Sequence, residues 1–357
     1  MSAKFHIFQL PAVALHQTID LFEIHDLVLL SSTSRNAFNA IKYNRTRRAD
    51  LWLTMNCFNY RVELRSGDDR DTIIGASKRD DDMPNKGLST IAIRGHTVSM
   101  RRAPVSSLRI KEYPTTYWED PSVGFRIIVD FVQDLLRVDL HSLLINQSSL
   151  WALDWVNKRQ NVLMNLRTQP LEYLSVDEYD MVLKKSSAKR IFLLSWAPEA
   201  FSYTGGLETR EFIYLNDGCW MKIEHFLQLT CQEILINYSS FTNNDVNLII
   251  KHWIAGTLPN LKIVKLQVVP YPNSEVIYAD LEHHFVEAKP GRTIERDWLC
   301  GFKGDKDIRR SDGTTASFQI FQNMFTMVVW SELCGVKPRD SIANYRATGH
   351  QNNLENV

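Results

Sequence analysis

The chain has 357 residues, of which 44% are hydrophobic and 23% are charged, as in an ordinary globular protein. Its 41 basic and 41 acidic residues cancel, which argues against a nucleic-acid partner, since general polyanion binders carry a basic excess. No apolar run approaches the roughly 20 residues that cross a bilayer, so no membrane partner is expected. Residues 1–19 do not resemble a secretory signal, because Pro11, His16 and Gln17 interrupt the apolar core. We therefore expect a cytoplasmic or nuclear protein.

The sequence offers little for catalysis, cofactors or metals. The five cysteines are odd in number and widely spaced, which argues against a disulfide framework or a CxxC metal site. Motifs for phosphate loops, dinucleotide loops, nucleophile elbows and zinc proteases are missing. His283 and His284 beside Glu282 could ligate a metal, but no third ligand follows at usable spacing, and an exposed polar stretch explains them equally. The sequence predicts no catalytic residue, no cofactor and no metal site, with an unrecognised hydrolase or transferase as an alternative.

The first 44 residues contain three short apolar stretches at helical spacing. The first runs from Leu10 to Phe22, and Pro11 suits the first turn of a helix. The second covers residues 25–34, with Asp26 as its predicted N-cap, and the third covers 34–43. This segment has more apolar residues than it can bury alone. It either docks on the rest of the chain or presents a binding surface.

These residues resemble an F-box, in the variant of the large family that is expanded in nematodes. The similarity rests on residues in the expected order: Phe5, Phe8, Leu10, Pro11, Leu15, Ile19, Leu21, Phe22, Asp26, Leu27, Leu30 and Ser34. The resemblance implies binding of a Skp-type adaptor and, through it, of a cullin ubiquitin ligase. The implied adaptor-binding residues are Phe8, Leu10, Pro11, Leu15, Ile19, Leu21, Phe22, Leu27 and Leu30. The alternative is an N-terminal helical cap on the core.

Residues 58–115 alternate between apolar and polar positions and contain several glycines, which predicts a small antiparallel sheet. Residues 122–138 then predict an amphipathic helix.

The middle of the chain repeats an apolar-x-apolar-polar core at intervals of 18 to 31 residues. The six cores begin at Leu143, Leu174, Phe192, Ile213, Ile234 and Val264. Helical patterns at 148–160, 219–229 and 242–256 connect them, and strands joined by crossover helices pair in parallel. The spacing is that of leucine-rich repeats, but the asparagine ladder of regular repeats is missing, so the similarity concerns shape alone.

A set of residues within 242–261 resembles the core of the type 2 F-box-associated domain that accompanies the nematode F-box. The set consists of Thr242, Asp245, Asn247, Trp253, Gly256 and Leu261. Further on, Asp307 to Thr314 resemble the motif that follows this domain. Together with the N-terminal similarity, this resemblance implies a substrate receptor. Asp312 and Gly313 also predict a hairpin with a type I′ turn.

The residue between the two apolar positions of each core should face the side of the sheet opposite the helices. These residues are Leu144, Ser175, Leu193, Tyr214, Leu235 and Lys265. Such an apolar face is covered either by another segment, such as the 300–330 hairpin, or by a partner. We predict a target-binding site around Tyr214 and Lys265.

Taken together, the sequence predicts an α/β fold with a three-helix F-box, an irregular leucine-rich-repeat-like solenoid of parallel strands, and small flanking antiparallel segments. The predicted divisions are an F-box (1–48), an antiparallel β-rich segment (49–120), a repeat domain (121–275), a hairpin extension (276–334) and a disordered tail (335–357). The predicted function is that of a non-catalytic substrate receptor of a Skp-cullin-F-box (SCF) ubiquitin ligase with an unknown target protein. The alternative is a solenoid interaction scaffold unconnected with ubiquitin.

Overall fold

The computed structural model describes residues 7–67, 69–79, 88–103, 113–205, 210–288, 294, 299, 302 and 304–330. It is an α/β protein that divides into two compact units. The first unit comprises residues 1–172 and 185–188, and the second comprises 173–184 and 189–357. Within the described ranges, no helix is both long enough and apolar enough to span a bilayer. The predicted disordered tail at 335–357 lies outside the described residues.

The first unit begins with three helices where the sequence predicts them. They are α1 (Ala12–Asp20), α2 (Ile24–Ser31) and α3 (Arg35–Asn44). Ser34 caps α3, since its hydroxyl oxygen accepts a hydrogen bond of 3.1 Å from the Ala37 N–H. The predicted cap at Asp26 is wrong, because α2 starts earlier and Glu23 occupies the N-cap position. Asp26 lies in the first helical turn and pairs with Arg102 at 3.2 Å.

An open mixed sheet follows, in the order β8-β7-β1-β2-β3-β6-β5-β4. Its strands are β1 (Leu51–Asn56), β2 (Arg61–Ser66), β3 (Asp69–Lys78), β4 (Ser89–Ile93), β5 (His96–Ala103), β6 (Tyr113–Trp118), β7 (Leu140–Ile145) and β8 (Leu163–Thr168). β1–β7, β7–β8 and β3–β6 are parallel pairs, and the other neighbouring pairs are antiparallel. The sheet therefore differs from the expected small antiparallel one, and β1 joins it directly to the first predicted repeat strand.

The predicted amphipathic helix is α4 (Pro121–Leu136), and α5 (Trp151–Asn157) lies between β7 and β8. The Asp120 carboxylate caps α4 by accepting a 2.8 Å hydrogen bond from the Ser122 N–H. α4 packs against β3, β6 and α3. Gly124 allows its close approach to β6, because a Cβ atom there would lie 2.2 Å from a ring carbon of Trp118, the last residue of that strand.

The second unit contains four parallel strands, the last three of which are joined by helices, followed by an antiparallel extension. Its elements are α6 (Val176–Lys185), β9 (Ala188–Leu193), β10 (Phe212–Leu215), α7 (Ile223–Leu227), β11 (Glu233–Ile236), α8 (Asn243–Ile254), β12 (Ile263–Gln267), α9 (Ser274–Ile277), β13 (Phe285–Val286), β14 (Lys306–Arg309), β15 (Thr315–Phe321) and β16 (Met324–Val329). β9 to β12 pair in parallel order, and β16 pairs antiparallel with β12. The crossover helices and parallel strands agree with the sequence; a leucine-rich-repeat-like solenoid stays a prediction.

One of the six predicted repeat strands is misplaced. The core beginning at Leu174 lies in a loop and the first turn of α6, and the strand in question is β8. β8 buries Leu163, Leu166 and Thr168, in the same pattern as β7. Thr168 occupies the position where the other strands have an aliphatic residue. The apolar-x-apolar-polar pattern therefore did not identify β8 as a repeat strand.

The predicted register of β9 is shifted by one residue. Phe192 pairs with Tyr214 and Leu193 pairs with Leu215, so Phe192 shares a face with Tyr214. Leu193 therefore faces the helices, contrary to the expectation. Four consecutive apolar residues make both registers equally plausible from sequence, and a slip of one residue exchanges the two faces.

The hairpin between β14 and β15 is present, but its turn is not type I′. The Gly313 N–H bonds to the Arg310 carbonyl and the Arg310 N–H bonds to the Thr314 carbonyl, both at 2.9 Å. Gly313 has a φ of +87°, while Asp312 keeps a negative φ, which a type I′ turn does not allow. The glycine instead occupies the left-handed position that follows a type I turn in three-residue hairpin loops.

Candidate interaction surfaces

The predicted adaptor-binding residues divide between the core and the surface of the first unit. Leu15, Ile19 and Leu27 are buried and hold the three helices together. Phe8, Leu10 and Leu30 are half-buried, while Pro11, Leu21 and Phe22 are exposed. The side chains open to a partner are therefore those at the start of α1 and in the α1–α2 turn.

Val13 also belongs to this exposed group, although it is not one of the residues in which the chain resembles an F-box. Its side chain is 72% exposed, and that of Leu21 is 85% exposed. The two residues are eight positions apart, about two helical turns, so they lie on one side of α1, away from the buried Leu15 and Ile19. The helical spacing of Val13 and Leu21 was the feature of the sequence that could have identified Val13 as a surface residue. We call Pro11, Val13, Leu21 and Phe22 the N-terminal apolar surface.

The C-terminal end of α1 is fixed to the chain that follows α3. Thr46 donates two hydrogen bonds to the Asp20 carboxylate, one from its hydroxyl and one of 3.1 Å from its backbone N–H. Partial burial raises the pKa of Asp20, but the bonds from Thr46 and the nearby His16 outweigh it and hold that pKa below its usual value. The ionised carboxylate thus helps to position the N-terminal apolar surface.

A groove of about 350 Å³ lies beside that surface, between the α1–α2 turn and strands β1 to β3. Phe22, Leu51 and Leu64 line it, together with Arg48. A hydrogen bond from Arg48 and another from a serine hydroxyl lower the pKa of Asp50 to about 2. The groove therefore offers a partner a mixed lining, in which apolar side chains lie beside charged groups such as Glu23 and Arg48.

In the second unit, the face of the sheet opposite the helices carries the predicted target-binding residues. Tyr214 pairs with Leu235, which pairs with Lys265, so the three side chains point to the same side as predicted. Tyr214 and Lys265 are half-buried, and the Tyr214 hydroxyl accepts a 3.0 Å hydrogen bond from the Asn237 amide. Ser175 is not on this face, since it lies in a loop before α6.

The chain itself covers part of this face. Leu299 and Phe302 form a buried cluster with Ile263, Val328 and Trp330. A second cluster is Phe192, Leu194, Phe212 and Leu235, with Tyr214 packed against it. Within the 300–330 segment that one alternative named, Phe302 packs on this face, whereas the strands of the hairpin extend the sheet, because β16 pairs with β12. Binding of a target at Tyr214 and Lys265 stays a prediction.

The residues of the α8 motif have structural roles. Thr242 and Asp245 form a reciprocal capping box, with a 2.7 Å bond from the Thr242 N–H to the Asp245 carboxylate. The Asn247 amide donates to two carbonyls near the end of α9, at 2.9 and 3.0 Å. Trp253 is 1% exposed, and Gly256 ends the helix with a φ of +80°. The motif therefore defines how α8 begins, ends and packs.

The second motif segment contacts the first. The Arg310 guanidinium lies over the Trp253 ring, 5.5 Å from its centroid. Arg310 also donates a 2.9 Å hydrogen bond to Asp312, which lowers the pKa of that carboxyl far below its usual range. The hairpin turn is thus tied to α8 through one cation–π contact.

No group of three or more histidine, cysteine or acidic side chains in the described ranges could hold a metal ion. The rings of His283 and His284 lie 4.1 Å apart without a third such residue in that search. Burial raises the pKa of the Cys57 thiol to about 12. Burial and the neighbouring Asp217 raise the pKa of Cys219 to about 11. These thiols are poor nucleophiles at neutral pH.

Residues 207–266 match the family model of the F-box associated domain. The matched segment runs from before β10 to the second-to-last residue of β12 and includes the whole α8 motif. No curated protein and no solved structure gives a significant match to the chain. The chain thus carries an F-box-associated segment, and the match suggests a role with the F-box machinery in general.

Proposed function

We propose that the chain is a non-catalytic substrate-recognition subunit of an SCF-type ubiquitin ligase. The observation that carries the proposal is the F-box-associated match at 207–266. In the proposal, the three N-terminal helices are the F-box of the nematode type that the sequence resembles. They bind a Skp-type adaptor, which connects the chain to a cullin, and the second unit binds a target protein.

The exposure of the N-terminal apolar surface supports the adaptor role. Leu21 and Val13 are large apolar side chains left in solvent on a short helix, and such patches commonly mark protein–protein contacts. The buried Leu15, Ile19 and Leu27 have a different part in the proposal, because they maintain the helical arrangement that presents this surface.

The proposed contribution to ubiquitin transfer is proximity. A receptor that holds a target on one unit and the ligase on the other raises the target's local concentration near the conjugating enzyme. This role needs no nucleophile, cofactor or metal in the receptor, and it operates in the cytoplasm or the nucleus.

The test is co-purification of a Skp-type adaptor with the full chain carrying Val13→Asp and Leu21→Asp. Both side chains are exposed, so the double variant should keep its melting temperature and lose the adaptor. Val162→Asp is the matched control, since Val162 is exposed elsewhere in the first unit. Retention of the adaptor by the double variant would contradict the proposed surface. Failure of the wild-type chain to capture any adaptor would favour a scaffold unconnected with ubiquitin.

A further inference from the structure

Exposed aromatic side chains of the second unit collect at one edge of its sheet, the edge where the parallel strands end. The Tyr173 ring stacks on Trp196 with 6.4 Å between centroids, and Trp196 contacts Tyr238 at 5.2 Å. Tyr173 is 72% exposed and Tyr238 is 53% exposed, while Trp196 is half-buried. We call these three residues the aromatic edge.

The topology explains why distant residues meet there. Tyr173 forms an isolated parallel bridge with Trp196, which follows β9, and Tyr238 follows β11. The carboxyl ends of parallel strands share one edge of a sheet, and open α/β sheets commonly bind ligands outside that edge. Tyr238 has a φ of +44°, a left-handed conformation that is costly for a residue with a Cβ atom, yet its ring is left in solvent.

The aromatic edge continues along the sheet. The Tyr238 N–H donates a 2.8 Å hydrogen bond to the Gln267 side chain at the end of β12. Beyond β12, Tyr271 is exposed, and so is Phe321 at the tip of the β15–β16 hairpin. The hairpin tip is joined to this edge by a 2.8 Å bond from the Val268 N–H to a carbonyl in the turn. The row runs across the strand order β9-β10-β11-β12-β16-β15, and neighbouring strands lie about 4.8 Å apart, so it is long enough for an extended peptide rather than for a single small molecule.

The charge along this edge is acidic. The helices of the second unit begin beside the strand ends, and each has acidic residues in its first turn: Asp177, Glu178, Glu224, Asp245 and Glu275. Glu199 is exposed in the loop after Trp196. Among the described residues of the loops that follow β9 to β12, the basic ones are Lys222 and the buried Arg210, which lies just before β10 at the opposite end of the strands. Acidic residues suit helix N-termini by themselves, but they also give the edge a negative field.

Asp217 reinforces this field next to the rings. It follows β10, is 8% exposed, and accepts a 3.1 Å hydrogen bond from the Ala197 N–H, beside Trp196. The Asp217 carboxylate also accepts a 3.4 Å hydrogen bond from the Cys219 N–H. Both donors are neutral backbone groups, so the carboxylate contributes negative charge close to the aromatic edge.

We infer that the aromatic edge binds a basic segment of the target protein, in an extended conformation, with arginine or lysine side chains stacked on the exposed rings. Aromatic faces attract guanidinium and ammonium groups, and Trp and Tyr are the best of them at binding hot spots. The surrounding carboxylates attract the same groups over a longer range. This inference rests on the proposed function and deepens it by naming the chemistry of the target segment.

The experiment measures fluorescence anisotropy of three labelled synthetic peptides of equal length with the full chain. One carries arginines in a glycine–serine background, the second has glutamates in their place, and the third has norleucines. The wild-type chain should bind the arginine peptide best, and added salt should weaken that binding. Tyr173→Ala with Tyr238→Ala should weaken it on the order of tenfold. Tyr43→Ala is the matched control, since Tyr43 is an exposed tyrosine of the first unit.

Other results would overturn the inference. They are no binding of the arginine peptide, equal binding of the norleucine peptide, or equal weakening by Tyr43→Ala. A concentration-dependent dimer that the Tyr173/Tyr238 double variant abolishes would identify a second copy of the chain as the occupant instead. Adaptor co-purification is measured on the same variants and should not change. If the wild-type chain binds the arginine peptide but no adaptor, the proposed function fails and the peptide site stands.

Discussion

Replacement of Trp253 by alanine tests whether the α8 motif builds the fold or contacts a partner. The indole is 1% exposed on the buried side of α8, and truncation of such a side chain costs about 3–5 kcal/mol of unfolding free energy. The loss of the Arg310 contact adds about 1–2 kcal/mol, because the guanidinium lies over the ring and is itself largely buried. Trp253→Phe keeps an aromatic ring in the core and should cost much less.

Hydrogen exchange is the suitable assay, because a protein of two compact units need not unfold in one step. The free energy of opening of amides in β11, α8 and β12 should fall by about 3–5 kcal/mol in Trp253→Ala. A double-mutant cycle that combines Trp253→Ala with Arg310→Met isolates the cation–π contact. Arg310→Met removes the ion pair with Asp312 whether or not Trp253 is present, so that loss cancels from the coupling energy. A fall below about 1 kcal/mol, together with lost target binding, would refute the structural assignment of Trp253.

Three further predictions concern ionisation and close packing. Cys219 is exposed but should react slowly with iodoacetamide, because a pKa of about 11 leaves a thiolate fraction roughly 100-fold smaller than that of an ordinary thiol. Asp217→Asn should speed the reaction, which peptide mass spectrometry can follow. The folded state lowers the pKa of Asp20, so its ionised carboxylate stabilises the fold above the ordinary value of 3.8. That contribution should disappear as the pH falls below this value. The protection factors of the α1 amides, which correct for the pH dependence of intrinsic exchange, should then be lower in the wild type than at neutral pH, with a smaller change in Asp20→Asn. Gly124→Ala should lower the melting temperature despite the better helix propensity of alanine, because the new methyl group would collide with Trp118 and such overpacking costs about 1–3 kcal/mol; an unchanged or higher melting temperature would show that the ring moves aside.

The helices with a single apolar stripe and a clear start were predictable from sequence. α8 has Thr242, Asp245 and Gly256 at its ends, so local chemistry fixed both boundaries. Short buried strands were harder. β8 has Thr168 at a buried aliphatic position, and β9 has apolar residues on both faces, so neither register was determined by the pattern.

The candidate surfaces were predictable only in part. The order of apolar residues pointed to the N-terminal helices, but it could not separate the buried Leu15 from the exposed Val13, since that depends on which side of α1 meets its neighbours. The aromatic edge had no local signal at all. Tyr173, Trp196 and Tyr238 are far apart in the chain, and only the parallel topology brings their rings together.

The antiparallel pairing of β16 with β12 has a practical consequence for expression of fragments. A fragment cut at 207–266 would lose β9 from one side of its three strands and β16 from the other. Both outer strands would then present unpaired backbone groups along apolar segments, which promotes edge-to-edge aggregation. The cut would also remove Arg310, which covers Trp253. Residues 207–266, the segment that matches the family model, are therefore a poor choice for expression by themselves. A usable fragment of this unit should extend at least from β9 through β16.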